Sequence, residues 1–261
     1  ALERERRLGR VVTAACVVLA IAARVAVAAP AESPTAVFFR ANALYGEERY
    51  PEAAAEYERV LAAGVASGNL HFNLGNAYFK ASDVGRAILE YERARRWMPG
   101  DPDLVANLAY ARSLAGTTED SAAWMRLAFP LAERYSTDRL LLAASALYTL
   151  LLLSLAAGRV WPGAMRGART VAIVAGLALV VVVPSLAFRL ATVDLGAAAV
   201  VVGKAEATVR FEPSAGGTEH FRAKPGTLLR VAAERAGWAQ VVRADGRRGW
   251  IEQDAIAAVT D

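Results

Sequence analysis

Residues 68–99 read GNLHFNLGNAYFKASDVGRAILEYERARRWMP, and this stretch decides the fold of the first half of the chain. It repeats an earlier stretch at an offset of 34 residues. The aligned pairs are Asn42 with Asn76, Ala43 with Ala77, Ala53 with Ala87 and Tyr57 with Tyr91. A repeat of this period is typical of stacked helix pairs, because a single pair cannot bury its own apolar face. We therefore predict an α-helical repeat module.

The second copy resembles the tetratricopeptide-repeat (TPR) motif. The positions that carry the resemblance are Leu74-Gly75, Tyr78, Ala87, Tyr91, Ala94 and Pro99. The first copy has Ala41 where the motif prefers glycine, and a third copy ends near Gly116. The resemblance implies two antiparallel helices per repeat, so we predict a TPR domain over 34–117 with a capping helix over 103–115.

The resemblance also implies a peptide-binding groove. The groove positions of the motif fall on Phe38, Asn42, Asn73, Asn76, Phe79 and Asn107. Amide side chains donate and accept hydrogen bonds, which suits an extended peptide backbone. Asn42 and Asn73 match the asparagines of the dicarboxylate clamp of TPR co-chaperones, but Phe38 and Asp103 stand where that clamp has cations. The alternative is that the asparagines only hydrogen-bond between helices, since buried amides need partners.

Composition indicates that membrane segments alternate with water-soluble modules, because 55% of the residues are hydrophobic while 21% are charged. Two uncharged runs, 140–157 and 170–188, are long enough to cross a bilayer. We predict transmembrane helices over 138–157 and 170–188. The loop 158–169 between them carries three arginines and no acidic residue, which places it in the cytoplasm by the positive-inside rule.

The N-terminal segment 1–29 has basic residues, an apolar stretch and small residues near Ala28, a pattern typical of a cleaved signal peptide. An uncleaved anchor is the alternative. Either outcome places the following modules on the periplasmic or exterior side of a bacterial inner membrane. Residues 118–137 are predicted to be an interfacial linker, with a partner-binding helix as the alternative.

After residue 197 the pattern changes to short β-rich runs separated by turn residues. Five predicted strands fall at 200–202, 207–211, 227–232, 239–242 and 249–251. The stretches 207–210, 237–241 and 246–251 resemble a bacterial SH3-like domain, which implies a small all-β barrel over 198–261. We expect Trp238 and Trp250 to fill this barrel. The alternative is that one ring is exposed and binds a peptide or a cell-wall stem.

Residues able to carry catalysis or bind metal do not cluster in the sequence. Cys16 is the only cysteine, and His71 and His220 lie far apart, so no metal-ligand spacing is present. The net charge of +4 reflects arginines at the N-terminus and between the apolar runs rather than a nucleic-acid-binding face. We predict no enzymatic activity, no cofactor, no metal and no nucleic-acid partner.

The order of the modules resembles the BatE proteins of the Bacteroides aerotolerance (Bat) operons. That resemblance implies a membrane assembly with von Willebrand A-type membrane proteins and a MoxR-type ATPase, acting in oxidative or envelope stress. The leading hypothesis is a non-enzymatic adaptor or scaffold whose TPR groove holds a peptide of an envelope partner while the SH3-like domain engages a second protein. The second hypothesis is a tether whose SH3-like domain binds peptidoglycan.

Overall fold

The computed structural model describes residues 32–117, 128–161, 163, 165–191 and 197–260. The predicted signal peptide, 1–29, lies outside the described residues. Residues 118–127 of the predicted interfacial linker also lie outside them.

The first module is an array of five helices. They are α1 (Pro34–Gly46), α2 (Tyr50–Ala62), α3 (Gly68–Lys80), α4 (Val84–Trp97) and α5 (Pro102–Ala115). Side-chain oxygens of Ser33, Ser67, Asp83 and Asp101 accept backbone N–H groups in the first turns of α1, α3, α4 and α5. These local caps define where these four helices begin, and the array confirms the predicted TPR fold.

Small residues let the helices approach closely. Ala77, Ala87 and Ala94 are fully buried between neighbouring helices. A Cβ atom added to Gly75 would lie 2.7 Å from the ring of Tyr91, so the glycine of the motif makes room for the tyrosine on the next helix. The predicted packing of small residues against large ones is therefore confirmed.

Two further helices, α6 (Thr137–Val160) and α7 (Met165–Arg189), pack against each other as a hairpin. They have 24 and 25 residues and mean hydropathies of 2.2 and 2.7, so both are long and apolar enough to cross a membrane. Both extend beyond the predicted spans, because the helical hydrogen bonds continue past the uncharged runs. Helix α6 ends where Trp161 becomes extended, as expected for a residue before a proline.

The C-terminal module is a seven-stranded antiparallel sheet in the order β3-β2-β6-β5-β4-β1-β7. The strands are β1 (Ala198–Val201), β2 (Ala207–Arg210), β3 (Glu219–Ala223), β4 (Leu228–Arg235), β5 (Trp238–Val242), β6 (Arg248–Glu252) and β7 (Ile256–Ala258). Val201, Val209, Phe221, Leu229, Val241 and Ile251 belong to its buried core. The predicted SH3-like barrel is confirmed, although β3 and β7 were missed.

The barrel packs directly along α4. Val200 and Val259 of the barrel are buried in the same apolar cluster as the TPR core. A Cβ atom on Gly226 would lie 2.3 Å from Cδ1 of Ile88, so the backbone of the barrel touches this helix. Arg93 adds a polar link, since its Nη2 donates to the carbonyl of Ala258 at 2.9 Å. The two modules therefore share one interface.

Candidate functional site

Asparagine–tyrosine hydrogen bonds recur at the repeat spacing. The Tyr57 hydroxyl donates to Asn42 Oδ1 at 2.5 Å, and the Tyr91 hydroxyl donates to Asn76 Oδ1 at 2.7 Å. Asn107 Nδ2 donates to the same oxygen of Asn76 at 3.0 Å. Of the groove asparagines predicted from the sequence, Asn42, Asn76 and Asn107 thus bond between helices.

Burial sets the protonation state of these tyrosines. Removal from water raises the pKa of Tyr57 to about 12, and it raises the pKa of Tyr91 well above its ordinary value. Both phenols therefore stay protonated at neutral pH and act as donors. Each asparagine then presents its oxygen to a tyrosine and directs its amide nitrogen elsewhere.

A cavity of about 150 Å³ lies between α1, α2 and α3. Its lining residues are Asn42, Tyr45, Tyr57, Asn73 and Asn76. Within the described residues, neither Asn42 Nδ2 nor Asn76 Nδ2 donates to a protein acceptor. A water molecule occupies about 30 Å³ of liquid, so the cavity matches one side chain or a short piece of backbone. Its amide donors can bind a carbonyl or carboxylate oxygen.

The two predicted groove phenylalanines lie beside the asparagines but do not line the cavity. Phe38 packs on Tyr57 with ring centroids 5.8 Å apart, and Phe79 packs on Tyr110 with centroids 5.7 Å apart. All six predicted groove residues lie on α1, α3 and α5, the first helices of their pairs. The barrel packs along α4, the second helix of its pair, and so leaves the cavity uncovered.

The expectation that Trp238 and Trp250 fill the barrel is wrong. In the pairing of β5 with β6, Ala239 lies opposite Ile251, and both point into the core. The tryptophans alternate with these residues and are half-buried on the outer face. The barrel is tightly packed beside Trp250, because a Cβ atom on Gly249 would lie 2.5 Å from Cγ1 of Val209.

Trp250 lies in a polar row on that outer face. Its cross-strand neighbours are Gln240 on β5 and Arg210 on β2. Arg210 is fixed by a hydrogen bond from Nη1 to the carbonyl of Gly217 at 2.6 Å. An aromatic ring flanked by an amide and a cation can contact the apolar face and the acidic groups of one ligand.

A buried polar chain was missed by the sequence reasoning. His71 Nδ1 lies 2.7 Å from Glu90 Oε2, and Arg93 Nη1 donates to Glu90 Oε1 at 3.0 Å. Arg93 also bonds to the Ala258 carbonyl, so the chain runs from the centre of the second repeat to the last strand of the barrel. The available signal was the position of Glu90, three residues after the buried Ala87 on an apolar helix face.

Comparison with known families identifies both modules. Residues 18–68 and 38–103 match the tetratricopeptide repeat, and residues 203–257 match the bacterial SH3 domain. No curated protein sequence matches the chain. Repeats and domains of these two kinds are typically non-catalytic interaction modules. The chain therefore combines tetratricopeptide repeats and a bacterial SH3 domain with two helices that are able to cross a membrane.

Proposed function

We propose that the protein is a membrane-anchored, non-enzymatic adaptor of the bacterial envelope. Its TPR groove holds a peptide segment of one partner protein, and its SH3 domain engages a second protein. The observation that carries the proposal is the cavity lined by Asn42, Asn73 and Asn76. Its amide donors are available in a face that the barrel does not cover.

The proposed topology places the TPR and SH3 modules on the periplasmic or exterior side of the inner membrane. The connected end of the α6–α7 hairpin, far from the TPR module, carries three arginines, Arg159, Arg166 and Arg169. This charge supports a cytoplasmic position for that end. The order of modules supports a role in a Bat-type aerotolerance or envelope-stress complex. Its expected partners are von Willebrand A-type membrane proteins.

The test is affinity capture of the full-length protein from mildly solubilised native membranes, with mass spectrometry of the partners. The test variant carries Asn42→Asp and Asn76→Asp. Each aspartate keeps an oxygen acceptor for its tyrosine but removes the amide donors and adds a negative charge. We expect von Willebrand A-type membrane proteins to be captured by the wild type and lost by this variant.

Asn69→Asp provides the matched control. Asn69 is exposed in the first turn of α3 and does not line the cavity, so this variant should capture the same partners as the wild type. Equal capture by wild type and by the double variant would show that the groove does not hold the partner. Capture of other proteins through the groove would retain the adaptor but exclude the Bat assignment.

A second candidate function is a tether that binds peptidoglycan through the outer face of the barrel. It is favoured by the position of Trp250, which is half-buried beside Arg210 rather than in the core. The peptide stems of peptidoglycan carry carboxylates, and the sugars of its glycan strands have apolar faces that stack on aromatic rings. A ring and a cation on one face suit such a ligand.

The tether is tested by cosedimentation of the detergent-solubilised full-length protein with purified sacculi. We expect the wild type and the control Trp161→Ala to cosediment, because Trp161 lies at the end of α6 and outside the barrel. Trp250→Ala and Trp238→Ala should reduce binding while the far-UV circular dichroism spectrum stays native. Failure of the wild type to bind would remove the tether.

A further inference from the structure

Arg189 joins the membrane hairpin to the TPR module. It is the last residue of α7, and only 2% of its surface is exposed. Its guanidinium donates to Thr137 Oγ1 at 3.0 Å, to the Ala132 carbonyl at 3.0 Å and to the Arg96 carbonyl at 2.9 Å. A buried cation is tolerated only where its N–H groups find partners. One end of the hairpin is thereby fixed to the last turn of α4.

Two further contacts lie at this junction. A Cβ atom on Gly100, in the turn between α4 and α5, would lie 2.7 Å from the carbonyl of Arg134, just before α6. Phe129 stacks on Phe188, one residue before the end of α7, with ring centroids 4.5 Å apart and planes 8° from parallel. The α4–α5 turn therefore lies at the level where the apolar helices end.

Apolar side chains are exposed at this same level. Trp97 follows Arg96 directly and is 56% exposed. Val65, in the turn between α2 and α3, is 44% exposed. The two turns lie at the same end of the array, because a Cβ atom on Gly68 would lie 2.9 Å from Cβ of Trp97. Tryptophan is enriched at the membrane–water interface, where its apolar ring and its N–H group both find suitable surroundings.

We infer that Trp97 and Val65 form a lipid contact, with the TPR module seated on the headgroup layer of the bilayer that α6 and α7 span. The inference rests on the proposed membrane anchorage of this hairpin. Helix α4 points its C-terminal end at the membrane, so the TPR helices stand on the bilayer and expose their sides laterally. The groove on α1, α3 and α5 then opens along the membrane plane, towards a neighbouring membrane protein.

The test is fluorescence quenching of the full-length protein in liposomes that contain a lipid with a nitroxide near the top of its acyl chain. We expect Trp97→Phe to lower the quenched fraction of the tryptophan emission, because the lost emission comes from a ring at the depth of the nitroxide. Trp161→Phe tests whether the hairpin itself is inserted in the bilayer, since Trp161 is 66% exposed at the far end of α6.

Two variants that each add a tryptophan make the test independent of Trp97. Val65→Trp should add quenched emission. Leu114→Trp should add emission that is not quenched, because Leu114 is 57% exposed near the end of α5, at the opposite end of the array. If Trp161→Phe lowers the quenched fraction but Trp97→Phe and Val65→Trp leave it unchanged, the lipid contact of the TPR module is overturned and the membrane anchorage of the hairpin is kept. No effect of any of the three substitutions would overturn both.

Discussion

The hydroxyl of Tyr91 on α4 donates a hydrogen bond of 2.7 Å to Asn76 Oδ1 on α3, and the same oxygen accepts Asn107 Nδ2 from α5. One amide oxygen therefore connects three consecutive helices. In the preceding repeat, Tyr57 makes the corresponding bond to Asn42. Residues expected to bind a peptide thus also hold the repeats together, so a loss of binding in their alanine variants would not by itself show a binding role.

The two asparagines should differ in their contribution to stability. Asn76→Ala leaves the Tyr91 hydroxyl and an Asn107 donor without this acceptor, whereas Asn42→Ala affects one tyrosine donor. An unsatisfied buried donor costs roughly 1 to 3 kcal/mol, so we expect Asn76→Ala to lower the free energy of unfolding more. Chemical unfolding in mild detergent, followed by far-UV circular dichroism, measures the difference.

A double-mutant cycle with Tyr91→Phe provides the control. Phenylalanine removes the hydroxyl that needs the acceptor, so the double variant should lose less stability than the sum of the two single variants. Additive losses would show that Tyr91 and Asn76 do not interact in solution.

The repeat module could be predicted from sequence because its packing is local and periodic. Ala77, Ala87 and Tyr91 occupy motif positions, and their burial follows from the spacing alone. Strand β3 was missed because Phe221 and Ala223 are its only buried residues, and its charged neighbours hide the alternation.

Contacts between modules could not be predicted, because no sequence pattern pairs distant residues. The bond from Arg93 to the carbonyl of Ala258 spans 165 residues, and the bond from Arg189 to the carbonyl of Arg96 spans 93. The alternation of Trp238 and Trp250 with Ala239 and Ile251 was visible in the sequence. The register of β5 with β6 places Ala239 and Ile251 inside the barrel, and the alternation of side chains along each strand then puts both tryptophans on the outer face.

Gly226→Ala should weaken the interface between the barrel and α4. Gly226 has φ +81°, which costs an alanine about 1 to 2 kcal/mol, and the added Cβ would also lie 2.3 Å from Ile88 Cδ1. Gly246→Ala is the matched control, because Gly246 has φ +84° but no atom within 4 Å of the added Cβ. We expect the larger fall in thermal unfolding midpoint for Gly226→Ala.

Removal of the obstructing methyl group tests the cause of that difference. Ile88→Val deletes Cδ1, so the double variant with Gly226→Ala should have a higher unfolding midpoint than Gly226→Ala alone. Equal midpoints for Gly226→Ala and Gly246→Ala would show that the barrel does not pack on α4 in solution.

Arg189→Gln should release the TPR module from the hairpin. Hydrogen bonds to charged groups contribute about 1.5 to 3 kcal/mol each, and the substitution disrupts bonds to Ala132, Thr137 and Arg96. We expect amide hydrogen exchange in the last turn of α4 to accelerate by about tenfold or more, since tenfold corresponds to about 1.4 kcal/mol. Exchange measured by mass spectrometry on the full-length protein in detergent reports this opening.

Two substitutions separate geometry from charge at Arg189. Arg189→Lys keeps the charge but lacks the planar fork that reaches three acceptors, so it should accelerate exchange as well. Arg169→Gln changes an exposed arginine near the other end of α7 and should leave exchange in α4 unchanged. Native exchange in Arg189→Gln would contradict the role of Arg189 in fixing α4.

Alkaline pH should destabilise the TPR module through its buried tyrosines. Burial raises the pKa of Tyr57 to about 12 from the ordinary value of 10.0, and the pKa values of Tyr78 and Tyr91 are also raised. A buried phenol that stays neutral in the folded protein contributes its full stabilisation at pH values below the pKa that it has in the unfolded chain. The free energy of unfolding should therefore fall as pH rises from about 10 to 12. Chemical unfolding across this range should show a shallower fall for Tyr57→Phe than for the wild type. An identical pH dependence in Tyr57→Phe and wild type would mean that the buried Tyr57 phenol does not control alkaline unfolding.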